Sequence, residues 1–247
     1  MVFIRVFIDD TKYFLLKNYI FILFYCLLLL FFYFISPFKT IEDTIFNNSS
    51  DEWVWFRTAK LMSQVNIIGY FKLLSYKYIF NSILINNAWT ISQFLRLPDL
   101  IIYAALKSIF HLISVPLFYK IVNLNFTKKI SILASLFYLF DPYLFSLKYC
   151  LLRDDLIVSF SIIFIYTYIY ILNNNRLKDI YFLILIYFCL YTLRPLQSIA
   201  LLFITPLSFF LSNNIYNWKI NFSFNSKIKY KNIFIIIIFF IIFIRTV

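Results

Sequence analysis

The stretch NYIFILFYCLLLLFFYFISP, residues 18–37, decides the fold. It carries no charge between Lys17 and Lys39. At ~1.5 Å per residue it makes a helix of about 30 Å, the thickness of a bilayer's hydrocarbon core. No small-x-small cleavage site follows it, so it reads as an uncleaved anchor rather than a signal peptide. Further apolar runs lie at about 98–120, 130–147, 156–172, 180–193, 195–212 and 232–247. With 63% hydrophobic residues and a mean hydropathy of +0.84, a soluble globular domain is excluded. The expected fold class is all-α: a polytopic membrane bundle of about 7 transmembrane helices forming one domain over 1–247. Between the first two spans lies a large first outer loop, 38–97, whose pieces 53–64 and 67–80 are amphipathic enough to lie along the interface.

Two features of this map are ambiguous. Residues 180–211 would make a helix of ~48 Å, too long for one crossing. A break at Arg194-Pro195 solves this, because proline disfavours helix at the residue before it. Asp141-Pro142 interrupts the third span in the same way. The loop charges then fall into place. Nine basic residues (Lys120, Lys128, Lys129, Arg176, Lys178, Lys219, Lys227, Lys229 and Lys231) sit in short loops assigned inside. Three (Lys148, Arg153 and Arg194) sit in short loops assigned outside. The positive-inside rule therefore places the N-terminus in the cytoplasm.

Composition warns against over-reading the aromatics. The 33 Phe and 20 Tyr accompany abundant Ile, Asn and Lys and a single Gly, the mark of an A/T-rich genome. The same bias inflates lysine and part of the +12 net charge. The three cysteines, Cys26, Cys150 and Cys189, form neither a disulfide framework nor a metal motif.

Acids are scarce, and eight of the eleven fall on the outer side of this map: Glu42, Asp43, Asp51, Glu52, Asp99, Asp141, Asp154 and Asp155. Asp51-Glu52 stands beside Trp53, Trp55 and Phe56, whose low polarity raises a carboxylate toward the general-base range. Arg153-Asp154-Asp155 reads either as a solvated turn or as carboxylates that hold a divalent cation or an acceptor hydroxyl. Adjacent acids at a helix start diverge by ~100°, so one of the two faces a given site. Arg194 reads as a snorkelling interfacial arginine or as a phosphate contact, for which a guanidinium fork is well suited. Lys107 and His111 share a helix face deep in the second span, as a proton relay or as buried structural groups. Asp99, after Pro98, reads as a helix-start residue.

The spacing Asp51-Glu52-x-x-Trp55-x-x-x-Ala59, directly after a first span, resembles the first-loop signature of GT-C glycosyltransferases. The nearest likeness is to protein mannosyltransferases and RgtA/B/C/D-type membrane glycosyltransferases. Phe140-Asp-Pro leading to Leu151-Leu-Arg-Asp-Asp155 resembles that family's second outer loop, and Leu193-Arg-Pro195 a later Arg-Pro motif. The likeness covers about 18–211 and implies a GT-C-like core module in a bacterial plasma membrane. It implies a polyprenyl-phosphate-linked sugar as donor, a glycan, lipid or protein acceptor, and no nucleic acid partner. On this reading Asp51 is the base, with Glu52 beside it. Arg153, Asp154, Asp155 and Arg194 bind substrate and phosphate, and Asp154 or Glu52 is available to a divalent cation. Trp55 stands where the family has tyrosine. The chain ends near its seventh span where relatives continue, which makes it a minimal module or a truncated, inactive frame. Two other readings share the membrane class: a polymerase of O-antigen or capsule repeat units, and a lipid-sugar transporter.

Overall fold

A computed structural model describes residues 17–45, 51–64, 79–174 and 179–215, with side chains omitted at Asp51, 172–174 and 206–215. The expected final span 232–247 and most of the amphipathic piece 67–80 lie outside the described residues. Among the described residues the chain is helical, with no strand. The helices are α1 (Tyr19–Ile35), α2 (Asp51–Gln64), α3 (Ile79–Leu95), α4 (Asp99–Val122), α5 (Lys128–Leu139), α6 (Pro142–Ser146), α7 (Asp154–Asn174), α8 (Ile180–Leu193) and α9 (Pro195–Ile215). Three stretches are long and apolar enough to cross a membrane: α4, the run Lys128–Tyr149, and Asp154–Ile171 of α7. Shorter apolar helices are α1, α8 and the Pro195–Thr205 part of α9. The protein is a helical membrane protein.

Each break follows from local chemistry. Arg194 takes an extended conformation (φ −155°, ψ 96°) between α8 and α9, as the following proline requires. Asp141 caps α6: its Oδ1 accepts from the amides of Tyr143 (2.9 Å) and Leu144 (3.1 Å), and Pro142 fills the first helical position. At the end of α3, Arg96 occupies the left-handed region (φ 56°), a position glycine usually takes.

Glycine-poor helices need another way to come close. Serine and threonine supply it here, each hydroxyl satisfied by the carbonyl four residues back on its own helix. Ser108 bonds Ala104, Ser135 bonds Ser131, Ser159 bonds Asp155, and Thr167 bonds Ile163, all at 2.7–2.9 Å. Small, internally satisfied side chains let neighbouring backbones approach without stranding a polar group in hydrocarbon. The outward surface is apolar: α1 buries only Tyr25 and Tyr33, while Phe24, Leu27, Phe31 and Phe34 face outward. Such a face is stable against lipid, not against water.

The loop after α1 folds back onto α4. Ile41 and Thr44 are fully buried, and the Ile41 amide donates to Asp99 Oδ1 at 3.3 Å. The other Asp99 oxygen accepts from Trp89 Nε1 at 3.2 Å, so the helix-start residue also staples α3 to the head of α4. In the same turn Asp43 accepts from the amides of Thr40 and Lys39, which hold its carboxyl below the ordinary aspartate range.

The ends of the bundle differ in charge. Asp43, Asp99 and the 153–155 tract lie at one end, and Lys17, Lys120 and Lys128 line a common cavity at the other. Glu42 and Asn125 are exposed near opposite ends of α4. In a cysteine-free background, Glu42→Cys should react with a membrane-impermeant thiol reagent in intact cells, and Asn125→Cys should not. Labelling of Asn125→Cys alone would invert the map.

Candidate functional site

The site forms where α2, the 147–153 connection and the α8–α9 break meet. Asn81 positions it. On α3, its Nδ2 donates to the Leu151 carbonyl at 2.9 Å, and its Oδ1 accepts from Tyr103 of α4 at 2.7 Å. One buried amide thus fixes the connection against two helices. Tyr149 donates from its hydroxyl to the Leu29 carbonyl and ties the same connection to α1.

Beneath the connection lies a buried ion cluster. Asp155 is fully buried between two lysines that are themselves fully buried. Its Oδ1 lies 3.0 Å from Lys107 Nζ and its Oδ2 3.0 Å from Lys148 Nζ. Lys107 aims its hydrogens at backbone: the carbonyls of Leu147 (2.6 Å), Cys150 (3.1 Å) and Leu152 (2.8 Å). Its contact with Asp155 is therefore an ion pair through space, whereas Lys148 donates a directed hydrogen bond. Buried carbonyls of a short 3-10 turn (Leu147–Tyr149) and the irregular stretch after it need donors from the protein, and a lysine supplies three at once. Lys107 and His111 turn to different partners. His111 Nε2 lies 3.4 Å from the Leu139 carbonyl, and its ring stacks on Tyr25. That arrangement suits two buried structural groups.

Divergence at a helix start is what the adjacent acids show. Asp155 turns inward to the lysines, and Asp154 turns outward to Arg194, whose Nη1 lies 3.2 Å from Asp154 Oδ1. Both members of the outer pair are partly exposed, at 46% and 35%. The Arg194–Asp154 contact is through one guanidinium nitrogen of the several the side chain carries. Arg153 lies over the Trp55 ring, 4.8 Å from its centroid, and so joins α2 to the same tract. Trp55 is 2% exposed, and among the described residues its Nε1 has no hydrogen-bond partner. Glu52, also buried, lies within electrostatic reach of Tyr103 and Cys150.

The structure pairs Asp154 with Arg194, lays Arg153 over Trp55, three residues from Glu52 on α2, and turns the neighbouring Asp155 to the two buried lysines. Asp51 is the first residue of α2, one position from Glu52, and its side chain lies outside the description. Among the described residues no three of His, Cys, Asp and Glu converge as a metal cage. Sequence reasoning missed Asn81 and Lys148: one is a polar residue in an ordinary amphipathic run, and the other read as a short-loop charge.

An apolar cavity of about 380 Å³ runs between α7 and α9, lined by Ile157, Val158, Gln197 and Leu201 among others. Ile157 follows Asp154 by three residues and Gln197 follows Arg194 by three, so the cavity begins about one helical turn beyond the ion pair. Comparison with protein-family models, curated proteins and solved structures finds no match in any of the three.

Proposed function

We propose that this chain is a membrane glycosyltransferase that moves a sugar from a polyprenyl-phosphate donor to an acceptor hydroxyl. Transfer takes place at the membrane face that holds Glu52, Arg153, Asp154 and Arg194. The observation that carries this reading is the half-exposed Arg194–Asp154 pair at the head of an apolar cavity between α7 and α9. A charged fork above a greasy groove matches a phosphate joined to an isoprenoid tail. In the proposed step the acceptor oxygen attacks the anomeric carbon. The new carbon–oxygen bond forms as the bond from that carbon to the phosphate oxygen breaks, and the acceptor's proton passes to Asp51. Arg194, with Arg153, stabilises the negative charge that gathers on the departing phosphate. Glu52 or Asp154 orients the acceptor or a divalent cation.

This reading keeps the GT-C-like core module of about seven spans, with loop 38–97 on the extracytoplasmic face of a bacterial plasma membrane. The test uses purified chain in lipid nanodiscs with a panel of polyprenyl-phosphate sugars. Transfer should occur with one of them. Arg194→Ala should weaken donor binding by at least about tenfold, the scale of a lost charge-assisted hydrogen bond. Lys129→Gln, at the far end of the bundle, should leave donor binding unchanged. Donor affinity equal to the native chain's in Arg194→Ala would overturn the assignment of the phosphate site.

A further inference from the structure

A second cavity, of about 370 Å³, opens at the opposite end of the bundle between α1, α4 and α5. Lys17, Lys120 and Lys128 line it, one from each of the three helices or its flank, and no acid is among the described residues of its wall. The rest of its wall is mostly apolar, including Phe21, Pro116 and Ile132. Phe21 and Ile132 are 40% and 42% exposed, so the shaft is open sideways to the surrounding lipid. Pro116 lies inside α4 and has no amide hydrogen, so the Leu112 carbonyl on the same wall lacks its helical donor.

A cationic mouth above an apolar shaft is the negative image of an amphiphile with an anionic head. The distance along α5 from Lys128 to Leu139, both on the wall, is about 17 Å at 1.5 Å per residue. That is long enough for most of an acyl chain. Lysines gathered at a membrane surface attract anionic headgroups, and basic pockets between spans hold them individually. A free phosphate would use the mouth but not the shaft, and a zwitterionic lipid would use the shaft but not the mouth.

We propose that this cavity binds one anionic phospholipid, with its phosphate among Lys17, Lys120 and Lys128 and one acyl chain along Phe21, Pro116 and Ile132. The lysine mouth is distinct from the Arg194 site, since Lys120 lies 13 residues, ~20 Å of helix, beyond the Lys107 that pairs with Asp155, and the proposal does not depend on the reaction assigned there. An anionic lipid held against α1, α4 and α5 would also fix the tilt of α1, whose outward face is exposed among the described residues.

The experiment counts bound lipid by native mass spectrometry. Purified full chain in detergent is titrated with palmitoyl-oleoyl phosphatidylglycerol, with the phosphatidylcholine of the same chains, or with inorganic phosphate. The native chain should retain one phosphatidylglycerol at least about tenfold more tightly than phosphatidylcholine, and millimolar phosphate should not displace it. Replacing all three lysines (Lys17→Gln, Lys120→Gln, Lys128→Gln) should abolish the preference between the two lipids. Ile132→Trp keeps the lysines and fills the shaft, so it should lose the bound lipid. Equal retention of both lipids by the native chain would overturn the proposal. An undiminished preference in the triple variant, or displacement by inorganic phosphate, would do the same.

Discussion

Asp155→Asn should lower stability by about 3–5 kcal/mol, the usual cost of stripping a buried ion cluster of one partner. The substitution keeps the shape of the side chain but leaves Lys107 and Lys148 facing each other with no carboxylate between them. The order of effects is as diagnostic as the size. Lys107→Met should be nearly as damaging, because it strands the carbonyls of Leu147, Cys150 and Leu152 as well as Asp155. Lys148→Met should cost least, since it leaves a neutral Lys107–Asp155 pair and replaces a buried cation with an apolar chain of similar length. Thermal unfolding in detergent, followed by the fraction that remains monodisperse, gives the three midpoints. A melting temperature for Asp155→Asn equal to that of the native chain would show that the cluster contributes nothing.

The second large effect concerns turnover. Asp51→Asn keeps the size and most of the hydrogen bonding of the side chain but removes the carboxylate proposed as the base. It should lower turnover at least ~10²-fold, the scale of general-base catalysis. Donor affinity and membrane insertion should stay near those of the native chain, because the proposed mechanism gives Asp51 the acceptor's proton and not the phosphate. Arg194→Ala gives the complementary pattern, with weakened donor binding, because the phosphate is charged before and after transfer. An active chain whose Asp51→Asn form keeps full turnover would remove Asp51 from the mechanism while leaving the Arg194 site standing.

The parts of this architecture that were legible in sequence are those governed by neighbours along the chain. The charge-free run after Lys17, the break before Pro195 and the opposite directions of Asp154 and Asp155 all follow from rules acting within a few residues. Asp99 was legible as a helix start, but not as the residue that also binds Ile41 and Trp89. Residues 38–97 read as a single outer loop with surface-lying pieces. In the structure α3 instead buries Asn81, Ser82, Leu84, Ile85 and Ala88 in the bundle. Its three asparagines and two serines mask that face in a hydropathy profile, although Asn81 is satisfied by partners from Tyr103 and Leu151. The cluster around Asp155 joins residues 7 and 48 positions apart (148 and 155; 107 and 155), and no periodicity marks such a pair in advance.

The lysine that holds the 147–152 carbonyls also sets an order of events during synthesis. α4 emerges before α7, so it enters the bilayer with Lys107 in place and Asp155 not yet alongside it. A mid-span lysine costs about 2.5–3.5 kcal/mol on insertion scales, and during that interval its Asp155 partner is not there to offset it. Entry of α4 is the weak point of biogenesis, and arrival of α7 is the event that secures it. Helices α4 to α7 therefore mature as one unit, and a chain halted between them would present the cell's quality control with a lone intramembrane cation.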